Sequence, residues 1–167
     1  MRHRVAFYPC CHLDIARPLE ILHPYAEEVV FCDANKAPQP RWQNCLSTIV
    51  PVGPRPMFLI GDVREVISQV TLINVLFYRK DSDGEGGSGI YILGDSFLPH
   101  VLQRFPEDGG LIITDGSNSR GSNFRRMKRP NGMCKHGWVF RGSPEQPYLA
   151  SDGLHVITVV PAEVAKA

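Results

Sequence analysis

The sequence predicts a three-layer α/β fold in which a mostly parallel sheet ends in a C-terminal antiparallel hairpin. Three observations predict it. Five short apolar runs alternate with segments of helical spacing, as in a sheet covered by helices on both faces. The runs are nearly continuous in apolar character, as strands buried on both sides require. The last two β-prone runs, Trp138–Arg141 and Leu154–Val160, have no helical pattern between them and read as an antiparallel pair at the sheet edge.

The first strand is placed at Arg4–Tyr8 (R-V-A-F-Y), with the break Pro9-Cys10-Cys11-His12 after it. From Asp14 to Tyr25, Ile15, Leu19 and Leu22 recur at helical spacing, and Asp14 is the expected N-cap. Val29–Cys32 (V-V-F-C) is the second strand and ends at Asp33. Residues 36–56 are proline-rich, with one short helix expected over Arg41–Ser47. Met57–Ile60 is the third strand, closed by Gly61 and Asp62 and followed by a short helix over Val63–Gln69. Leu72–Tyr78 is the fourth, and Asp81–Gly89 (D-S-D-G-E-G-G-S-G) is a glycine-rich loop after it. Ser96–Phe105 reads as a helix with Phe97, Val101 and Leu102 near one face, and Leu111–Ile113 is the fifth strand behind Gly109-Gly110.

A length of 167 residues with 43% hydrophobic composition suits one domain spanning residues 1–167. The 18 Lys+Arg and 17 Asp+Glu leave a net charge of +1, so no global field selects a polyanionic partner and a basic patch must be sought locally. No apolar run reaches the roughly 18 residues of a membrane-spanning helix. Five cysteines without a framework spacing suit a reducing, cytoplasmic setting.

Several local strings resemble the class I S-adenosylmethionine-dependent methyltransferases, a family with a Rossmann-like sheet. Leu98–Asp115 (L-P-H-V-L-Q-R-F-P-E-D-G-G-L-I-I-T-D) is similar to that family's helix, Gly-Gly turn and fifth strand. Met57–Gln69 (M-F-L-I-G-D-V-R-E-V-I-S-Q) looks like its third strand with the terminal acidic residue, and the strand ending at Asp33 looks like its ribose-binding position. Together these matches cover most of the chain. The resemblance departs at the first loop, which is glycine-rich in the family and here is Tyr8-Pro9-Cys10-Cys11-His12-Leu13-Asp14. It implies S-adenosylmethionine as cofactor, with Tyr8, Cys10, Asp14, Asp33, Asp62 and Val63 at the cofactor cleft. Arg79, Asp81 and Asp115 are then expected on the side of a methyl acceptor whose identity the sequence leaves open.

Ligands of open α/β sheets bind beyond the carboxyl ends of the strands, so residues there carry the functional readings. Asp33 lies 24 positions after Pro9, a spacing at which a second-strand acid accepts ribose hydroxyls; a polar residue closing a buried strand explains it equally. Asp62 has a matching alternative as the cap of the helix that follows it. Asp81, Asp83 and Glu85 alternate like the start of a calcium loop, but the twelfth position is Ile92, and a lid over the cleft is the stronger reading. Cys10, Cys11 and His12 with Cys134 and His136 lack the spacing of a zinc site, and no metal is expected. A thiol nucleophile at Cys10 or Cys11 is a third functional class.

Arg120–Arg129 (R-G-S-N-F-R-R-M-K-R) holds five cations with Phe124 among them, a composition that neutralises phosphates and stacks a base, with a solvated basic loop after the fifth strand as the alternative reading. Arg125 and Arg126 belong to this candidate contact for a nucleic-acid or other anionic partner. Two functions follow: a methyltransferase-like protein with an unknown acceptor, or a non-catalytic Rossmann-like module that binds a protein or nucleic acid through residues 120–129.

Overall fold

The computed structural model describes residues 3–34, 42, 53–144 and 146–165. The helix expected over Arg41–Ser47 lies outside them except for Trp42, which is buried. Eight strands form one sheet: β1 (Val5–Pro9), β2 (Glu28–Asp33), β3 (Arg55–Ile60), β4 (Val75–Tyr78), β5 (Gly110–Thr114), β6 (Met133–Lys135), β7 (Trp138–Gly142) and β8 (His155–Pro161). Their order is β3-β2-β1-β4-β5-β8-β7-β6. β1 to β5 pair in parallel, whereas β8 runs antiparallel to both β5 and β7, and β6 antiparallel to β7.

Alternation along the strands builds the three layers. Phe7, Val30, Leu76 and Ile112 point into one core with Leu98, Val101 and Leu102 of the helix α3 (Leu98–Leu102). Their neighbours Ala6, Phe31, Val75 and Ile113 point into the other, with Leu19 and Leu22 of α1 (Ala16–Leu22). A continuous apolar run thus serves two cores at once, because successive side chains leave a strand on opposite faces. Each fully buried Phe, Leu or Ile contributes about 1.5–3 kcal/mol through removal from water.

Several expected elements differ in detail. α1 starts at Ala16 behind Ile15, with no side-chain cap, because the Asp14 carboxylate is engaged with Arg79 instead. Val63–Gln69 divides into α2 (Val63–Val66) and a 3-10 turn over Ile67–Gln69. The connection between β7 and β8 contains the short helix α5 (Pro147–Ala150), against the expectation of none; Leu149 anchors it in the core beside α1. β6 and the one-turn helix α4 (Phe124–Met127) fall in a stretch whose polar, basic composition gives no periodic signal. The expected Gly-Gly turn has a steric reason, since a Cβ on Gly109, at φ 106°, would lie 2.3 Å from the Val159 carbonyl oxygen.

Candidate functional site

A cleft of about 570 Å³ opens at the carboxyl edge of the sheet, above the ends of β1 to β4. The reversal of strand order between β1 and β4 creates it, because the connections from these neighbouring strands leave to opposite faces. Cys10 and His12 line it from the first loop, Cys32 and Asp33 from β2, Gly61 to Arg64 from the end of β3, and Lys80 and Asp81 from the end of β4. Gly86 to Ser88 and Ile90 form a further wall from the loop after β4.

The first loop reaches its shape without glycine. Cys10 and His12 take left-handed backbone angles, φ 59° and 49°, which glycine ordinarily supplies. This geometry lets the Cys11 amide donate to the Cys32 carbonyl at 3.1 Å and the His12 amide donate to the Asp33 carboxylate at 2.8 Å. Asp33 therefore holds the loop while standing in the cleft wall. Beside it, at the end of β3, Gly61 donates its amide to the Asp33 carbonyl at 3.0 Å and has φ 148°, and a Cβ there would meet Val66 Cγ1 at 2.5 Å. Only glycine keeps that part of the wall open against α2.

Asp62 is the N-cap of α2: it accepts the Arg64 amide at 2.9 Å and also the Arg64 guanidinium, whose hydrogen bonds hold its carboxyl below the usual range. Val63 is buried beneath the cleft floor. Burial is also the main effect on the Cys10 thiol, pushing its pKa up to about 12, and Cys11 is raised well above the ordinary value for the same reason. Neither is a thiolate near neutral pH, so the geometry does not supply a thiol nucleophile.

Asp81 has a structural task in the cleft. It accepts the Ser82 amide at 2.9 Å, the Ser88 amide at 2.7 Å and the hydroxyls of Tyr78 and Ser88. The glycine-rich loop is thereby folded back over the cleft around one carboxylate, and Tyr91 extends the fold by donating to Asp83 at 2.8 Å. Asp115 accepts amides of Lys80 at 3.1 Å and Ser117 at 2.8 Å, and so ties the end of β5 to that of β4.

Tyr8, Asp14 and Arg79 lie apart from the cleft lining. Arg79 is only 3% exposed and grips Asp14 through two hydrogen bonds of 2.7 and 2.9 Å. The Tyr8 hydroxyl donates to Asp14 at 2.6 Å, and burial is the largest cause of its raised pKa. Arg79 also meets Asp152, which Arg17 holds from the other side. These residues lock the first loop to β4 and to the segment after α5. Arg125 and Arg126 stand exposed on α4 beyond β5.

Sequence reasoning reaches His12 and Lys80 as residues just past the first and fourth strands and Ser88 within the expected lid loop; it does not single out Ile90, one residue past that loop. Gly61 was the available signal at β3. Among the described residues, no three His, Cys, Asp or Glu side chains gather as a metal site, and no helix is long and apolar enough to cross a membrane.

No protein-family model matches the chain, and no curated protein matches it in sequence. Solved structures do match it in fold. An rRNA methylase from Streptococcus thermophilus superposes with a TM-score of 0.57 at 9% identity, covering 95% of this chain and 88% of that one. A methyltransferase from Geobacter sulfurreducens gives 0.56 at 13% identity, over 95% and 71% of the two chains. Phosphoethanolamine N-methyltransferase 1 of Haemonchus contortus, in complex with phosphoethanolamine and S-adenosylhomocysteine, gives 0.57 at 13% identity, over 97% of this chain and 40% of that one. With its parallel β1 to β5 and its antiparallel C-terminal strands, the chain has the α/β, Rossmann-like fold of the class I methyltransferases.

Proposed function

We infer that this protein is an S-adenosylmethionine-dependent methyltransferase whose cofactor occupies the cleft at the carboxyl edge of the sheet. The observation that carries the reading is Asp33. It closes β2 beside β1, bonds the left-handed first loop, and stands next to Gly61 in the wall of a cleft within the roughly 300–1,000 Å³ of small-molecule sites. The residues fit the cofactor: a carboxylate accepts hydroxyl hydrogens with up to about four lone-pair sites, and Cys32, Val63 and Ile90 offer apolar walls. Asp33 would hold the ribose, and the wall between Gly61 and Val63 would face the adenine. Tyr8 and Asp14 support the first loop from behind, with Cys10 lining the cleft.

When bound, S-adenosylmethionine supplies an activated methyl group on a sulfonium. The protein's part is to align an acceptor atom with that carbon, a positioning effect large enough to need no covalent catalyst. The glycine-rich loop pinned by Asp81 excludes water from above. The acceptor would enter from the β4–β5 side, beside Lys80 and Asp115. One sheet joining all eight strands supports reading residues 1–167 as a single domain, and four free thiols among the described residues support a cytoplasmic setting.

Calorimetric titration with S-adenosylmethionine and S-adenosylhomocysteine tests the reading. Saturable binding is expected, and Asp33→Ala weakens it by about 1–3 kcal/mol, the cost of leaving buried hydroxyls unpaired. Thermal melting of the variant separates loss of the site from loss of the fold. A folded Asp33→Ala protein with unchanged affinity would remove Asp33 from the site, and no binding by the parent protein would remove the reading.

A further inference from the structure

The sequence from Gly116 to Pro144 contains no Asp or Glu, yet it carries Arg120, Arg125, Arg126, Lys128, Arg129, Lys135 and Arg141. Among the other described residues, several cations are matched locally: Arg4 with Glu27, Arg17 with Glu20 and Asp152, Arg55 with Glu28, Arg64 with Asp62, and Arg79 with Asp14 and Asp152. In the basic stretch, Asp95 takes Lys135 and His136. None of the five cations in residues 120–129 forms an ion pair among the described residues. Arg120, Arg125, Arg126 and Arg129 are exposed. Among the described residues, this one segment thus gathers five cations without a carboxylate partner.

That segment is rooted in the cleft's lid. Asn118 donates to the Ile90 carbonyl at 2.8 Å and to the Tyr78 hydroxyl at 3.4 Å, and the Ser117 hydroxyl accepts the Asp81 amide at 3.2 Å. The Tyr91 phenol is pushed up mainly by its bond to Asp83, and the Arg120 charge acts on it in the opposite sense. The Phe124 ring is committed to packing: it fills the space over Gly116, meets the His155 ring edgewise and carries the Lys128 ammonium 5.1 Å from its centre. It is therefore a support for the segment, where the sequence suggested a stacking platform.

We propose that residues 120–129 bind the phosphate backbone of a single-stranded nucleic acid and present one of its bases to the cleft as the methyl acceptor. The acceptor part rests on the methyltransferase reading above. Exposed cations strung along a segment match an extended polyanion better than a small acid, which needs converging donors in a pocket. A base must also pass beneath the lid, and in a duplex it is enclosed by pairing and stacking, so an unpaired strand fits. Contact through phosphates alone makes binding tolerant of sequence and sensitive to salt.

The test is fluorescence anisotropy with labelled oligouridylate and oligothymidylate, alongside calorimetry with S-adenosylhomocysteine on the same preparation. Five phosphate contacts give a slope of about −3.5 in log affinity against log salt. The double variant Arg125→Glu/Arg126→Glu is expected to bind at least ten-fold more weakly with a slope near −2, about what three remaining contacts give. Arg120→Gln, a single neutralisation, gives a smaller loss, and both variants keep the parent's melting temperature and S-adenosylhomocysteine affinity. Preference for one oligomer identifies the strand as RNA or DNA. Equal affinity for polyglutamate overturns the proposal in favour of an acidic protein partner, and preference for a duplex overturns the presentation of an unpaired base. S-adenosylhomocysteine binding without oligonucleotide binding rejects this proposal alone. Oligonucleotide binding without S-adenosylhomocysteine binding rejects the acceptor claim together with the cleft reading beneath it.

Discussion

His12 and Cys10 show how single backbone angles open the cleft. A non-glycine residue in the left-handed region costs roughly 1–2 kcal/mol, and Cys10, His12, Lys80 and Asn118 all adopt it after β1, β4 or β5 at the carboxyl edge. Strain collected at one edge is what a pre-shaped site requires. The His12 side chain is exposed, so its substitution isolates the backbone effect. His12→Gly is expected to raise stability by up to about 1 kcal/mol, the left-handed penalty less the extra entropy glycine loses on folding, whereas His12→Ala stays within about 0.5 kcal/mol of the parent. Urea denaturation reads both, and a drop of 1 kcal/mol or more for His12→Gly would show that the ring, not the backbone, governs this position. The missing glycines were visible in the sequence, but their replacement by strained cysteine and histidine was not. Propensity describes what a residue prefers, and here the bonds from Cys11 to Cys32 and from His12 to Asp33 override preference.

Between elements, Arg79 joins β4 to the first loop through Asp14 and to the end of α5 through Asp152. Burial by itself would lower the Arg79 pKa, but the Asp14 carboxylate outweighs it and holds the guanidinium charged. The same network acts on Asp152, whose hydrogen bonds, that to Arg17 foremost, lower its pKa from 3.8 to about 2. A carboxylate depressed on folding stabilises the native state above its unfolded pKa and loses that contribution as pH falls through its folded value. Asp152→Asn is therefore expected to cost about 1–2 kcal/mol at neutral pH after allowance for solvent screening. The gap from the parent closes between about pH 4 and pH 2, as urea midpoints measured across that range should show. A gap that persists below pH 2 would assign the loss to packing instead of charge. The spacing of Ile15, Leu19 and Leu22 made α1 legible, but the partner of Asp14 was not, because Arg79 comes to it from 65 residues away and is itself met by Asp152, 73 residues further on. For the same reason Asp14 reads locally as a helix cap. Asp33, Asp62 and Gly61 were legible because strand ends at this edge of a parallel sheet face the crevice wherever the chain travels afterwards.

Across the whole molecule, the two cores on either side of the sheet decide which thiols solvent can reach. Cys11 and Cys32 are 2% exposed or less, on opposite faces, and burial is the main cause of the upward shifts in their pKa, to about 12 for Cys32. Cys10 stands in the cleft wall with its pKa also near 12, whereas Cys134 lies exposed on β6 at the far edge of the sheet. Alkylation needs both access and thiolate, so these sites should react in an order that reports different openings of the structure. Under native conditions Cys134 is the first of the described cysteines to be modified. Cys10 follows on opening of the cleft, Cys32, fully buried behind the same wall, more slowly still, while Cys11 requires a core to open and reacts at a rate that falls as global stability rises. Mass-resolved iodoacetamide labelling distinguishes the sites, and repeating it with saturating S-adenosylhomocysteine should slow Cys10 at least several-fold while leaving Cys134 unchanged. If Cys10 instead labels as fast as Cys134 with or without the ligand, its thiol is not enclosed by the lid that Asp81 holds. The contact between the Ser88 loop and the first strand end would then be absent from the protein in solution.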